Sequence, residues 1–205
     1  MRMYALITPP VEVLHHLRAA IDEIAPSVGD LPWTHSDYWN CRVASFGNLG
    51  LEDTTLVMNT LEKIGTYCPP LMLQLAGAEA RPVDEAAEEF AVGVQGDVKG
   101  LRSLAGAIPS MVQPQGLFLD RRNFRSVVTI AQGAREPFSA TPALAALGGY
   151  RGPEWTATEM RLVRLVPGRV DDPAGGHYED MVRYRFSAPP EPVEATSYVG
   201  ASVDR

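Results

Sequence analysis

Cysteine is almost absent: Cys41 and Cys68 are the only two in 205 residues. Two thiols exclude a disulfide framework and cannot form a zinc site by themselves. Histidine is scarce as well, limited to His15, His16, His35 and His177, and no HExxH pair occurs. No run approaches the roughly 18 apolar residues of a membrane span. The opening MRMYALITPP carries one Arg and a few apolar residues before Pro9-Pro10, too short for a secretory core segment. No GxGxxG follows a strand pattern, and GxxxxGK[ST] and GxSxG are missing. The expectation is a soluble, cytoplasmic chain with no metal, no cofactor and no membrane partner.

What is present describes a folded domain. Apolar residues make up 45% and charged residues 21% of the chain, enough to bury a core. The formal charge is −7, which argues against salt-driven binding to long nucleic acid. That charge is uneven, because residues 1–119 carry all of it and residues 120–205 balance. Every basic residue in the second part is Arg, with Arg121, Arg122 and Arg125 close together. Guanidinium suits bidentate contact with phosphate or carboxylate, so a small anionic ligand in a local basic pocket remains open.

Periodicity predicts strands over residues 3–8, 39–46, 71–75, 90–95, 124–131, 155–166 and 178–186. Helices are predicted over 11–25, with Pro26 ending the first, and over 51–67, 98–112 and 140–147. The acidic stretch Asp84–Glu89 and the segment Asp171–Gly176 read as turns. This order fits an α+β chain: two pseudo-symmetric lobes of antiparallel sheet, outer helices, and a cleft between the lobes. Residues 1–186 form one domain in this reading, and 187–205 a tail.

Several pieces, in order, resemble the 2H phosphoesterases, the RNA 2′,3′-cyclic phosphodiesterase or 2′-5′ RNA ligase-like proteins. They are MRMYALITPP, Trp33 seven residues before Asn40, the closure Phe46-Gly47-Asn48, and the strand Phe124–Ala131. Trp155-x-x-x-Glu159 running into Leu162-Val163-Arg164, then Tyr178, resembles the family's final hairpin. The resemblance implies two His-x-Thr strands facing one cleft, where the histidines relay protons and the hydroxyls hold phosphate oxygens.

At the matching positions this chain reads Asn40-Cys41-Arg42 and Val127-Val128-Thr129. Asn40 cannot exchange a proton near neutral pH, and Val127 carries no polar atom. Each general acid or base contributes about 10²–10⁴ in rate, so the family's hydrolysis is not expected. Strand alternation places Asn40, Arg42, Ala44 and Phe46 on one face, and Arg125, Val127, Thr129 and Ala131 on another. If both faces line the cleft, Asn40, Arg42, Arg125, Val127, Thr129 and Tyr178 are the candidate ligand contacts.

Other residues have blander readings beside the functional ones. Cys41 reads as a buried thiol, Cys68 as structural, and His15 and His16 as surface residues. His35 and Asp37 form either an acid/base pair or a polar loop. Three functions stay open: binding of an anionic or nucleotide-like ligand, repurposed metabolite chemistry using His35, Asp37, Asn40 or Tyr178, and a non-catalytic interaction scaffold.

Overall fold

Val13, Leu17 and Ile21 recur at the helical period and form the buried stripe of α1 (Val11–Val28). Val57, Leu61 and Ile64 do the same for α2 (Leu51–Tyr67). Leu101, Leu104 and Ile108 serve α3 (Val98–Val112), and Ala143 and Leu147 serve α4 (Thr141–Leu147). The strands are β1 (Arg2–Ile7), β2 (Cys41–Asn48), β3 (Leu71–Val83), β4 (Ala86–Gly96), β5 (Val127–Gln132), β6 (Arg151–Ala157), β7 (Glu159–Pro167) and β8 (Gly176–Arg185). They form one curled antiparallel sheet in the order β6-β3-β4-β5-β2-β1-β7-β8. The computed structural model describes residues 2–83, 86–119, 124–133, 138–168 and 176–187. Arg121, Arg122, Asp84, Glu85, the turn 171–175 and the tail 188–205 lie outside the described residues.

The α+β reading holds, and the two lobes are the halves β6-β3-β4-β5 and β2-β1-β7-β8 of one continuous sheet. They join where β2 meets β5, through the ladder pair Cys41↔Val128. Helices α1 to α4 pack on one face, over a core that includes Trp39, Phe90, Leu61 and Leu101. The opposite, open face carries a small second cluster of Tyr4, Leu6 and Val163, with Leu165 and Tyr178 against it.

Four sequence expectations need correction. Pro26 lies inside α1, which runs to Val28 and stops at Gly29 with φ 83°. The proline forfeits one hydrogen bond to the carbonyl four residues back, and the helix continues past it with Val28 buried. The segment predicted as one strand over 155–166 is two, broken at Thr158. Trp155 therefore pairs with Leu73 in one half-sheet, whereas Glu159 pairs with Arg185 in the other. The acidic stretch is no simple turn either, because β3 and β4 form a long hairpin that places Glu89 within β4.

The fourth correction concerns the two motif strands. Register shifts fall in β2 between the partners of Ala5 and Leu6, and again between those of Met3 and Tyr4. Each bulge inserts one residue and reverses the side chains that follow. Ala44 and Phe46 consequently pack into the helix-covered core, and only Arg42 of the predicted strand face stays on the open side. Gly47, at φ 66°, accommodates the second bulge. A shift in β5 sends Ala131 into the core in the same way. Phe46→Ala is expected to cost about 3–5 kcal/mol in chemical denaturation; a solvent-facing Phe46 would cost well under about 1 kcal/mol.

Candidate functional site

Alternation on β1 and the bulged β2 brings Leu6 opposite Arg42 on the open face. The Arg42 guanidinium lies 4.7 Å from the Tyr4 ring centroid. Tyr178 stands close enough for the Arg42 charge to act on its hydroxyl. Tyr178 packs edge-on against Tyr4 and Tyr38, with centroids 5.7 and 5.2 Å away. Burial raises the Tyr178 pKa, and the Arg42 charge offsets part of that shift. The phenol therefore stays protonated at neutral pH and can donate. No carboxylate pairs with Arg42 among the described residues.

The other half of the site behaves differently. Glu79 and Thr129 both stand opposite Ala91, on the face that β3, β4 and β5 share. Arg125 donates to Glu89 at 2.7 Å and to Glu79 at 2.6 Å. The Thr129 hydroxyl donates to the second oxygen of Glu89 at 2.5 Å. Burial alone would lower the Arg125 pKa, but these two carboxylates outweigh it and raise it. Arg125 and Thr129, expected to hold a ligand anion, already hold an internal one. Val127, beside them, is half-buried and offers only apolar surface. The acidic residue Glu89 belongs to the site, and its sequence signal, an acidic stretch, pointed to a solvated turn.

Asn40 is buried, with its amide engaged on both sides. Its oxygen accepts from the Thr8 hydroxyl at 2.6 Å, and its nitrogen donates to the Asp37 carbonyl at 2.9 Å. Arg161 donates to Thr8 at 2.8 Å and is ion-paired with Asp180. Asn40 thus ties the single-turn helix Ser36–Tyr38 to the end of β1, with one N–H left over.

Next to Asn40 opens a cavity of about 580 Å³. Its walls are Val11, Leu14, His15 and Arg18 of α1, Ser36, Asp37 and Trp39 before β2, and Thr8, Arg161, His177 and Tyr178 from the sheet. His15, read from the sequence as a surface residue, lines this space together with His177, while His16 bonds Tyr150 elsewhere. His35 does pair with Asp37, at 3.3 Å, but both side chains are more than half exposed and only Asp37 reaches the cavity. Cys41 is buried beneath β2, and burial, slightly relieved by a bond from the Val127 backbone, pushes its pKa up to about 12. Such a thiol is inert. Burial does the same to Cys68, which rises to about 11.

No family model matches this sequence, and no curated protein does either. Solved structures do match. TT0787 of Thermus thermophilus superposes with a TM-score of 0.71 at 16% identity, covering 91% of this chain and 98% of that one. E. coli LigT complexed with 3′-AMP gives 0.70 at 18%, with coverage of 91% and 98%. A structure described as a phosphoesterase gives 0.64 at 15%, with 91% and 99%. TT0787 and LigT belong to the 2H phosphoesterases. The chain has the 2H phosphoesterase fold.

On this version of the 2H phosphoesterase fold, neither central strand carries a histidine. The open face instead carries ion pairs that titrate in acid. Burial at Asp180 favours its neutral form, but the bonds and charges of Arg161 and Arg183 outweigh this and hold its pKa below the ordinary value. A depressed carboxylate stabilises the fold fully above its unfolded pKa, about 3.9, and loses that contribution as pH falls through the folded value. Asp180→Asn is therefore expected to lower the melting temperature at pH 6, with the deficit closing towards pH 2. A pH-independent deficit would contradict this account.

Proposed function

We propose that the chain binds a small anionic, nucleotide-like ligand on the open face beside Asn40, without the hydrolysis of the 2H family. The observation that carries the reading is Arg42: a guanidinium lacking any carboxylate among the described residues, fixed by Tyr4 and Tyr178. A cation positioned over an aromatic ring, with no carboxylate to cancel it, is well suited to a phosphate. Structures of LigT were solved with 3′-AMP, ATP, NADP+ and phosphate, and the shared fold makes a ligand of that class the natural first probe here.

The absence of hydrolysis follows from the residues at the family's four motif positions, Asn40, Arg42, Val127 and Thr129. None of the first three can exchange a proton near neutral pH, and Thr129 is bonded to Glu89. A second reading, repurposed chemistry on a small metabolite, draws on Asp37 and the neutral Tyr178 phenol lining one cavity wall. His35 would act there only through Asp37.

Calorimetric titration with 3′-AMP tests the binding reading. Wild type is expected to bind, more weakly as salt rises, and Arg42→Ala is expected to lose about tenfold or more in affinity, as a lost charged hydrogen bond implies. Unchanged affinity in that variant would overturn the role of Arg42. Glu89→Gln removes the carboxylate charge facing Arg125 and Thr129, and is expected to strengthen phosphate binding severalfold.

The hydrolytic part is tested with 2′,3′-cyclic nucleotides. Wild type is expected to be inactive, and a variant combining Asn40→His, Arg42→Thr and Val127→His to gain turnover. Turnover by wild type would refute the non-hydrolytic reading and direct attention to Asp37 and Tyr178.

A further inference from the structure

The first helix has a second functional face. Its core stripe of Val13, Leu17 and Ile21 is fully used against the sheet. Val11, Leu14, His15 and Arg18 follow the spacing i, i+3, i+4, i+7 and therefore form a separate stripe. All four line the 580 Å³ cavity. Val11 and Leu14 give that wall an apolar start, and His15 and Arg18 a basic end.

Arg18 is held in place from below. Its guanidinium lies 4.5 Å from the centroid of Trp39, whose side chain is fully buried. The Trp39 indole N–H donates to the Thr34 hydroxyl at 3.1 Å, which fixes the ring. No carboxylate pairs with Arg18 among the described residues. Across the cavity stand His177 and Arg161, the latter occupied by Asp180 and Thr8. Among the described residues, Asp37 is the one carboxylate in the lining. Among the described residues Arg18 is thus the guanidinium of the lining that has no carboxylate partner, in a chain whose formal charge is −7.

We infer that Arg18, with His15 beside it on the helix and His177 across the cavity, forms a second anion subsite taking a further phosphate of the ligand. This inference rests on the binding reading above, in which the first phosphate meets Arg42. Tyr178 belongs to both places: the Arg42 charge acts on its hydroxyl, and it lines the same cavity as Arg18. The body of the ligand lies between them over Val11 and Leu14. The ligand class is therefore a nucleotide-like molecule bearing two separate phosphates rather than one.

The test compares 3′-AMP with adenosine 3′,5′-bisphosphate by calorimetry on folded wild type, Arg18→Gln and Arg42→Gln, with circular dichroism to verify folding. Wild type is expected to bind the bisphosphate at least tenfold more tightly than 3′-AMP. Arg18→Gln should abolish that advantage while leaving 3′-AMP affinity within about twofold, and Arg42→Gln should weaken both probes. A bisphosphate advantage that is missing in wild type, or that survives Arg18→Gln, overturns the second subsite; the first reading stands if Arg42→Gln still weakens 3′-AMP. Unchanged binding in Arg42→Gln overturns the first reading instead, and failure of wild type to bind either probe at millimolar concentration overturns both. As an independent readout, quenching of Trp39 fluorescence by the bisphosphate should disappear in Arg18→Gln and in Trp39→Phe.

Discussion

The open face exists because two half-sheets are stitched together at one seam. Between β2 and β5 that seam has the ladder pair Cys41↔Val128, too little to hold two half-sheets in register by itself. The segment before β2 extends it. Thr34 N–H donates to the Ile130 carbonyl at 2.9 Å, Gln132 N–H donates to the Pro32 carbonyl at 3.1 Å, and Trp33 bridges Ala131. Trp39 then anchors that segment through Thr34, whose hydroxyl also reaches the Thr129 carbonyl at 3.3 Å. One buried indole therefore holds the seam, the turn that carries Asp37, and the ring under Arg18. A large core aromatic of this kind is worth about 3–5 kcal/mol, enough to make the geometry of both anion positions depend on it.

The two half-sheets treat their guanidinium groups in opposite ways. Arg125 is neutralised by Glu79 and Glu89, so the half that retains the family's threonine presents a closed, net acidic surface. Arg42 is supported by rings and a phenol, which position a cation without cancelling it. Aromatic support costs little of the field that a ligand would feel, whereas a carboxylate at 2.7 Å cancels most of it. In the proposed binding mode the asymmetry puts anion recognition on the β1–β2–β8 side, towards the cavity and away from Val127.

Helices and the order of strands were legible because they depend on local apolar period and on turn residues. The predicted spans 51–67 and 98–112 coincide with α2 and α3. Errors came where tertiary constraints override period. Strand alternation assumes an unbroken pleat, so two bulges in β2 sent Ala44 and Phe46 to the wrong face, and one in β5 did so for Ala131. Asn40 and Arg42 were singled out because a family pattern marked their places. His15 and Arg18 were hidden for a different reason. A helix stripe at 11, 14, 15 and 18 reads as ordinary surface until the β7–β8 hairpin is seen to stand opposite it. Glu89 was missed because an acidic run carries no mark of the residue that turns inward to a guanidinium.

Charge placement adds one more constraint on how such a ligand is captured. With a formal charge of −7, the chain as a whole repels an anion at long range, but salt limits that field to about 8 Å at physiological ionic strength. Within that distance the cavity lining and Arg42 reverse the sign. Long-range steering therefore contributes little, and capture rests on short-range contacts made after diffusional encounter. An arrangement of this kind favours ligands that offer an apolar body along with their charge. Bare inorganic anions would gain only the screened local term, while a nucleotide also gains the apolar surface of Val11 and Leu14. In the proposed binding mode, discrimination against simple ions follows from pairing an acidic exterior with a small basic, aromatic-backed site.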